Sequence, residues 1–293
     1  MNTPTLFDLS DNKKILTLSG ADAGAFLQGQ TTCDVLALNE TDSVFGALCN
    51  PKGRAISLFH LFKREETYYM VLPAGLFPSI VKRLKMFVFR SDVQINDVTE
   101  NFIVLGINEL ISNSTQLSLK PLTHIKQGFV DNLALLVVAT DSYPVLNSDN
   151  SLASINTQFN DWQALLIDAG IPEITEDTSE LFIPQMLNLD LLSGISFEKG
   201  CYTGQEVIAR MHYKGTVKRR LVSFNSNNLY SSGESIYSID DTNSMGTVLN
   251  CIPSTNNEYI GLIVLKTASI KNAELLLKNN SKLTVRTPKY NLD

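Results

Sequence analysis

The 293-residue chain contains no C-x-x-C pair. Its four cysteines, Cys33, Cys49, Cys201 and Cys251, are widely spaced, so a self-contained zinc or iron–sulfur site is not expected. Positive charge is in deficit: 24 Lys and Arg stand against 30 Asp and Glu, a net charge of −6. That argues against broad, non-specific nucleic-acid binding and leaves room only for a local basic patch. The longest clean apolar run, Leu133 to Ala139, is far too short to span a bilayer and reads as a buried strand. No basic n-region or apolar h-region marks residues 1–8, so a secretory signal is not expected. G-x-G-x-x-G and P-loop patterns are absent, which removes support for those nucleotide sites. Unpaired, scattered cysteines fit a reducing, cytoplasmic compartment, with no membrane partner.

What is present is a globular composition, 44% apolar and 18% charged, in a chain long enough for about two domains. Strands are expected at Lys14–Ser19, Val44–Cys49, Ala55–Phe62, Tyr68–Leu72, Val88–Ile95, Ile103–Ile107 and Leu133–Thr140. Asn108–Gln127 is weakly patterned. Asp22 would cap a helix over 23–28, with Ala25, Phe26 and Leu27 inward. A second helix runs from Ile80 to Phe87. A third, capped by Asn160, carries the stripe Trp162, Leu165, Leu166, Ala169 and stops at Gly170 and Pro172. Short strands separated by Ser, Asn, Asp and Gly clusters recur from Val217 onward and read as a small β-barrel. The fold class expected is therefore α+β with antiparallel sheets. The domains expected are 1–215, with two interwoven subdomains, and 216–293.

The chemistry concentrates around Cys201. In Lys199-Gly200-Cys201-Tyr202-Thr203-Gly204-Gln205-Glu206, one thiol lies between two glycines, behind a lysine and ahead of a helix. Thr203 and Glu206 fit a capping box. Val207, Ile208 and Met211 recur at helical spacing, and Glu206 with Arg210 suits an ion pair. A helix N-terminus and Lys199 both favour thiolate, making Cys201 a candidate nucleophile or ligand. A lone cysteine is also often just a small buried apolar residue. Upstream, Asn50-Pro51-Lys52-Gly53-Arg54 reads as a turn between strands. Lys52 and Arg54 there suit an anionic ligand, or are simply solvated. Asp34, after the polar loop from Gln28, reads first as a cap on the next turn. Trp162 reads as core on spacing alone.

The eight residues from Lys199 to Glu206 resemble the defining motif of the YgfZ family of folate-binding proteins. Phe182-Ile183-Pro184-Gln185, Asn188-Leu189-Asp190, Phe26-Leu27-Gln28-Gly29-Gln30 and Asn50-Pro51-Lys52-Gly53-Arg54 fit the same family. The resemblance covers about residues 5–225. It implies a fold shared with the T-protein (aminomethyltransferase) of the glycine cleavage system, with tetrahydrofolate or a folate derivative as cofactor in a central channel. It implies further that Gln28, Asp34, Lys52, Arg54, Trp162, Tyr202, Gln205 and Glu206 belong to the folate cavity or its surroundings, and that Trp162 stacks on the pterin. A second tryptophan of those relatives is matched here by Lys13. Cys201 and Lys199 would be the reactive pair, with Cys201 serving in redox chemistry or as a ligand to a cluster shared with a partner.

Three functions follow. The first is a folate-binding accessory protein for iron–sulfur enzymes or cluster carriers, including those that modify tRNA. The second is an aminomethyl transferase. It is opposed by Ser57 and Leu58, which stand about where that enzyme carries acidic residues, and neither replaces a carboxylate acid/base. The third is direct RNA binding through Arg210, His212, Lys214, Lys218, Arg219 and Arg220. It is opposed by the acidic charge and by the lack of interleaved exposed aromatics. The charges equally fit the wet face of a strand. Direct tRNA contact is therefore not expected, and the chain reads as accessory rather than catalytic.

Overall fold

The computed structural model describes residues 5–108, 123–126, 133–142, 155–239, 243–254, 257–272, 274–278 and 280–292. Three sheets organise them. One takes its strands from the N-terminal hundred residues: β2 (Lys13–Ser19), β3 (Ser43–Cys49), β4 (Ala55–Arg64), β5 (Thr67–Pro73) and β6 (Gln94–Asp97), in the order β3-β4-β5-β2-β6. The pairings are antiparallel, with β4 buried along eight of its ten residues. Helices α1 (Ala23–Gln30) and α2 (Phe77–Phe87) pack Phe26, Leu27, Ile80 and Leu84 into the same core.

A second sheet joins β1 (Thr5–Asp8), β7 (Phe102–Asn108), β8 (Thr123–Lys126), β9 (Leu133–Ala139) and β10 (Ile155–Asn156), in the order β10-β1-β7-β9-β8. Helix α3 (Phe159–Ala169) covers it. Its stripe closes over Phe7, Val104 and Leu135, and it stops at Gly170 with φ 71°. Trp162 is 1% exposed and lies 5.5 Å from the Phe7 ring. It fills the space over Gly106, where a Cβ would come within 2.6 Å of the indole.

The C-terminal strands form the third sheet: β11 (Arg219–Ser226), β12 (Ser235–Tyr237), β13 (Ser244–Pro253), β14 (Tyr259–Lys266), β15 (Glu274–Leu276) and β16 (Lys282–Arg286). The order is β12-β13-β14-β11-β16-β15. A bridge between Ser238 and Leu277 joins the two edges, so the sheet curls closed and leaves no long free edge. A polar joint ties it to the rest. Asn188 donates to the Leu221 carbonyl and to the Tyr290 hydroxyl, and Arg220 donates to the Gln185 carbonyl and to Asp190. The motif residues Gln185, Asn188 and Asp190 therefore position β11.

Local differences from the sequence expectations have local causes. Val88–Ile95 is a turn followed by the short β6, because Phe89 adopts φ 45° and Ser91 N–H closes on the Val88 carbonyl. Ala25 is exposed, and Ala23 takes the inward place. Helix α3 begins at Phe159, one residue before its expected cap. Asn156 accepts the Gln158 N–H and donates to Asp161 at that end. Of Asn108–Gln127, Asn108 ends β7 and Thr123–Lys126 is β8; the rest lies outside the described residues.

Candidate functional site

Three distant stretches meet around Cys201. The segment Gly194–Tyr202 lies against the loop after α1: Thr32 Oγ1 donates to the Gly194 carbonyl at 2.6 Å, and Ser196 N–H returns a bond to the Thr32 carbonyl. Lys199 is the strongest tie. Its Nζ donates to the carbonyls of Gln28 (2.7 Å), Thr31 (2.8 Å) and Cys33 (2.7 Å), and it lies 5.0 Å from the Tyr202 ring centre. An ammonium has three protons, and all three are committed here. Burial pushes Lys199 down to about 8, against the opposing pull of Cys33 and Asp34. Lys199 is thus turned inward as a cross-brace, and its donors go to main-chain oxygens rather than to the Cys201 thiol.

The second contact is between two glycines. Asn50 organises its turn by accepting the N–H groups of Lys52 and Arg54 on Oδ1 and the Gly53 N–H on its carbonyl. This brings Gly53 (φ 70°) against Gly204 (φ 87°) at the entry to helix α4 (Gln205–Lys214). A Cβ on Gly204 would meet the Asn50 carbonyl oxygen at 2.6 Å, and one on Gly53 would meet Val207 at 2.9 Å. The expected Thr203 capping box does not form. Gly204 itself occupies the N-cap, with no side-chain cap, and Thr203 N–H is used on the Gly29 carbonyl. Of the expected apolar stripe only Ile208 is fully buried. Glu206 and Arg210 are both exposed and make no ion pair among the described residues.

The other expected site residues divide. Gln28 and Asp34 bond to each other at 2.9 Å, so Asp34 holds the loop instead of capping a turn. Arg54 donates to the carbonyls of Glu180 and Leu181, while Lys52 is exposed at the tip. Tyr202 is buried, and burial pushes its phenol above the ordinary tyrosine range. Gln205 and Glu206 open α4. Trp162 belongs to the core of the second sheet and has no free face to stack on a ligand, so the structure does not bring it to this site.

Of the four cysteines only Cys201 is exposed. Burial pushes Cys33 up to about 11 and Cys49 up to about 12, and raises Cys251 as well. Around Gly200 nothing lies within 4 Å of where a Cβ would be. The exposed thiol thus follows an uncrowded glycine, on a segment braced by Lys199 on one side and Gly204 on the other. Brief alkylation with iodoacetamide at pH 7.5 should modify one cysteine in the folded protein, identified by peptide mass as Cys201, and all four after denaturation. Equal labelling of Cys33 or Cys49 in the native state would contradict the burial. No cluster of three or more His, Cys, Asp or Glu suited to a metal occurs among the described residues.

A cavity system that sequence reading missed lies between the first sheet and the stretch after α3. A cleft of about 300 Å³ is lined by Asp11, Asn12, Gln163, Thr175 and Glu176 among others. Behind it is a cavity of about 20 Å³ lined by Phe45, Phe59, His60 and Ile171. Lys13 and Glu173 form an ion pair that lines both. Phe45 and His60 stack at 4.8 Å beside it. The only advance signal for Glu173 was Lys13 itself, a charge at the first residue of β2; it is buried, and a buried charge needs a partner.

These features define a class: an α+β fold of three antiparallel-rich sheets, with a braced, exposed thiol and a separate charged cleft. The fold is that of the glycine cleavage T-protein. The aminomethyltransferase T structure from Bartonella henselae superposes with a TM-score of 0.74 over 98% of this chain and 85% of that one, at 14% identity. No protein-family model matches. Curated relatives named tRNA-modifying protein YgfZ do. The protein from Colwellia psychrerythraea is 34% identical over 232 residues, covering 75% of this chain and 71% of that one. The Vibrio atlanticus protein is 32% identical over 265 residues, covering 85% and 80%, and the Enterobacter protein is 34% identical over 253, covering 79% and 76%. The chain belongs to the YgfZ family.

Proposed function

We propose that this protein binds a folate and supports tRNA modification by iron–sulfur enzymes, with Cys201 as the sulfur it presents to them. The observation that carries the reading is the presentation of that thiol: the sole exposed cysteine, on a segment held by three charge-assisted hydrogen bonds from Lys199. A single cysteine cannot hold a cluster. Cys201 would then be one ligand of a cluster whose remaining ligands come from the partner, the cluster being cargo rather than a resident cofactor. The relatives' names supply the tRNA-modifying context. Aminomethyl transfer is disfavoured by the residues: Ser57 and Leu58 are buried, and neither can move a proton as a carboxylate does. A cytoplasmic setting is part of the proposal; no helix among the described residues is long and apolar enough to cross a membrane.

The residues of the charged cleft fit a pterin. Its amino-pyrimidine edge pairs naturally with a carboxylate, which Glu173 and Glu176 supply on the wall of the cleft, with the Phe159 ring on the same wall. At about 300 Å³ the cleft lies at the small end of the roughly 300–1,000 Å³ typical of ligand sites, so it would take the ring and leave the glutamate tail outside. When bound, a folate supplies a one-carbon or reducing group. The chain's own part is to hold the ring and shield it from water. In calorimetric titration, tetrahydrofolate should bind the wild type, and Glu173→Gln should weaken binding about 10- to 100-fold, the worth of one charged hydrogen bond. Glu176→Gln, which leaves Lys13 paired with Glu173, should weaken binding too, with the buried ion pair intact. Unchanged affinity in both variants would move the folate elsewhere.

A further inference from the structure

The basic stretch after Cys201 splits into two parts. Arg219 and Arg220 are used internally, on the Ser244 carbonyl and on Asp190 with the Gln185 carbonyl. Arg210, His212, Lys214 and Lys218 are exposed on or just beyond α4, together with Tyr213, which is 66% exposed. The expectation that this stretch carries no exposed aromatic is corrected here, since Tyr213 lies within it and is exposed. Phe197 and His212 stack at 3.7 Å and 12°, and Tyr213 stands edge-on to His212 at 4.8 Å and 80°. Phe197 belongs to the segment that carries Cys201. Two exposed acids, Glu198 and Glu206, lie on the same segments and are outnumbered by the exposed cations.

We propose that this face, with Tyr213 and His212 as stacking surfaces and Arg210, Lys214 and Lys218 as phosphate contacts, docks an unpaired stretch of RNA such as a tRNA loop, bringing it alongside Cys201. Aromatic rings set among cations are the arrangement that binds single strands, because every base offers a face to stack and every linkage a charge. The location within an acidic chain makes the patch local, so steering is confined to this face. The proposal rests on the reading of the protein as one that serves tRNA modification, and it adds direct contact with the RNA.

Fluorescence anisotropy of an unmodified anticodon stem-loop transcript against the full chain tests it. Binding should weaken with salt at a log–log slope of about −2, the release expected for three phosphate contacts on single strands. Tyr213→Ala should weaken binding at least about fivefold, and Lys214→Glu with Lys218→Glu should abolish it, while circular dichroism stays native. Fully duplex RNA of the same length should bind more weakly than the loop. Absence of binding in 50 mM salt, or binding indifferent to both sets of substitutions, overturns the proposal. Capture of an acidic peptide in place of RNA at this face also overturns it, by making the face a protein-docking surface. If the RNA arm fails while Cys201→Ser still abolishes thiolation in cells, docking alone is wrong; if both fail, the functional reading falls with it.

Discussion

Lys199→Met should cost on the order of 3–6 kcal/mol and disorganise the segment that carries Cys201, because the substitution leaves three inward-facing carbonyls without their donor. Each unsatisfied buried acceptor costs roughly 1–3 kcal/mol, and the methionine stem recovers only the packing of the aliphatic part. Against a typical stability of about 5–15 kcal/mol, the loss is a large fraction of the whole. Arginine should not rescue it. A planar fork cannot aim three donors at carbonyls arranged around one point, so Lys199→Arg should resemble Lys199→Met. Urea denaturation gives the magnitude, and hydrogen exchange at residues 28–33 and 196–203 gives the place. A loss under about 1 kcal/mol would mean that the cross-brace is not needed.

The two glycines of the Cys201 motif should behave oppositely. Gly204→Ala places a Cβ at φ 87°, where an L-residue costs about 1–2 kcal/mol, and pushes it to 2.6 Å from the Asn50 carbonyl oxygen, which is main chain and cannot swing away. Overpacking adds roughly 1–3 kcal/mol, so a total on the order of 2–5 kcal/mol is expected. The turn at Asn50–Arg54 should separate from α4. Gly200→Ala meets nothing within 4 Å and should change stability by about 0.5 kcal/mol or less. Thermal melts of the two variants side by side decide it. If Gly200→Ala is stable and yet inactive in cells, the open space above it is where a partner approaches.

How much of this was legible in the sequence depends on how local each cause is. The Asn50–Arg54 turn was readable because its closing bonds lie within five residues. The α3 stripe and its stop at Gly170 were readable from helical spacing, and the same spacing correctly made Trp162 a core residue. Where the family resemblance made Trp162 a stacking platform, packing on Phe7 and Gly106 leaves no face for that role. Lys199 beside Cys201 invited pairing by adjacency, but its true partners lie 166–171 residues away and are carbonyls, which no side-chain pattern announces. The Lys13–Glu173 pair, 160 residues apart, was hidden for the same reason. Tyr213 stands within the basic stretch and was legible there as an interleaved aromatic; Phe197 was not, because it comes from the other side of the Gly204 turn.

The most direct test of the central claim, that Cys201 carries the function, is complementation. Cys201→Ser, shown by circular dichroism and melting to be folded, is expressed in a strain lacking the protein, and a cluster-dependent tRNA thiolation is measured by nucleoside mass spectrometry. Oxygen is smaller than sulfur, and the position is exposed, so the replacement introduces no clash. Loss of thiolation to the level of the deletion strain is the predicted result. Thiolation at the wild-type level would contradict it and leave the Lys13–Glu173 cleft as the seat of the function.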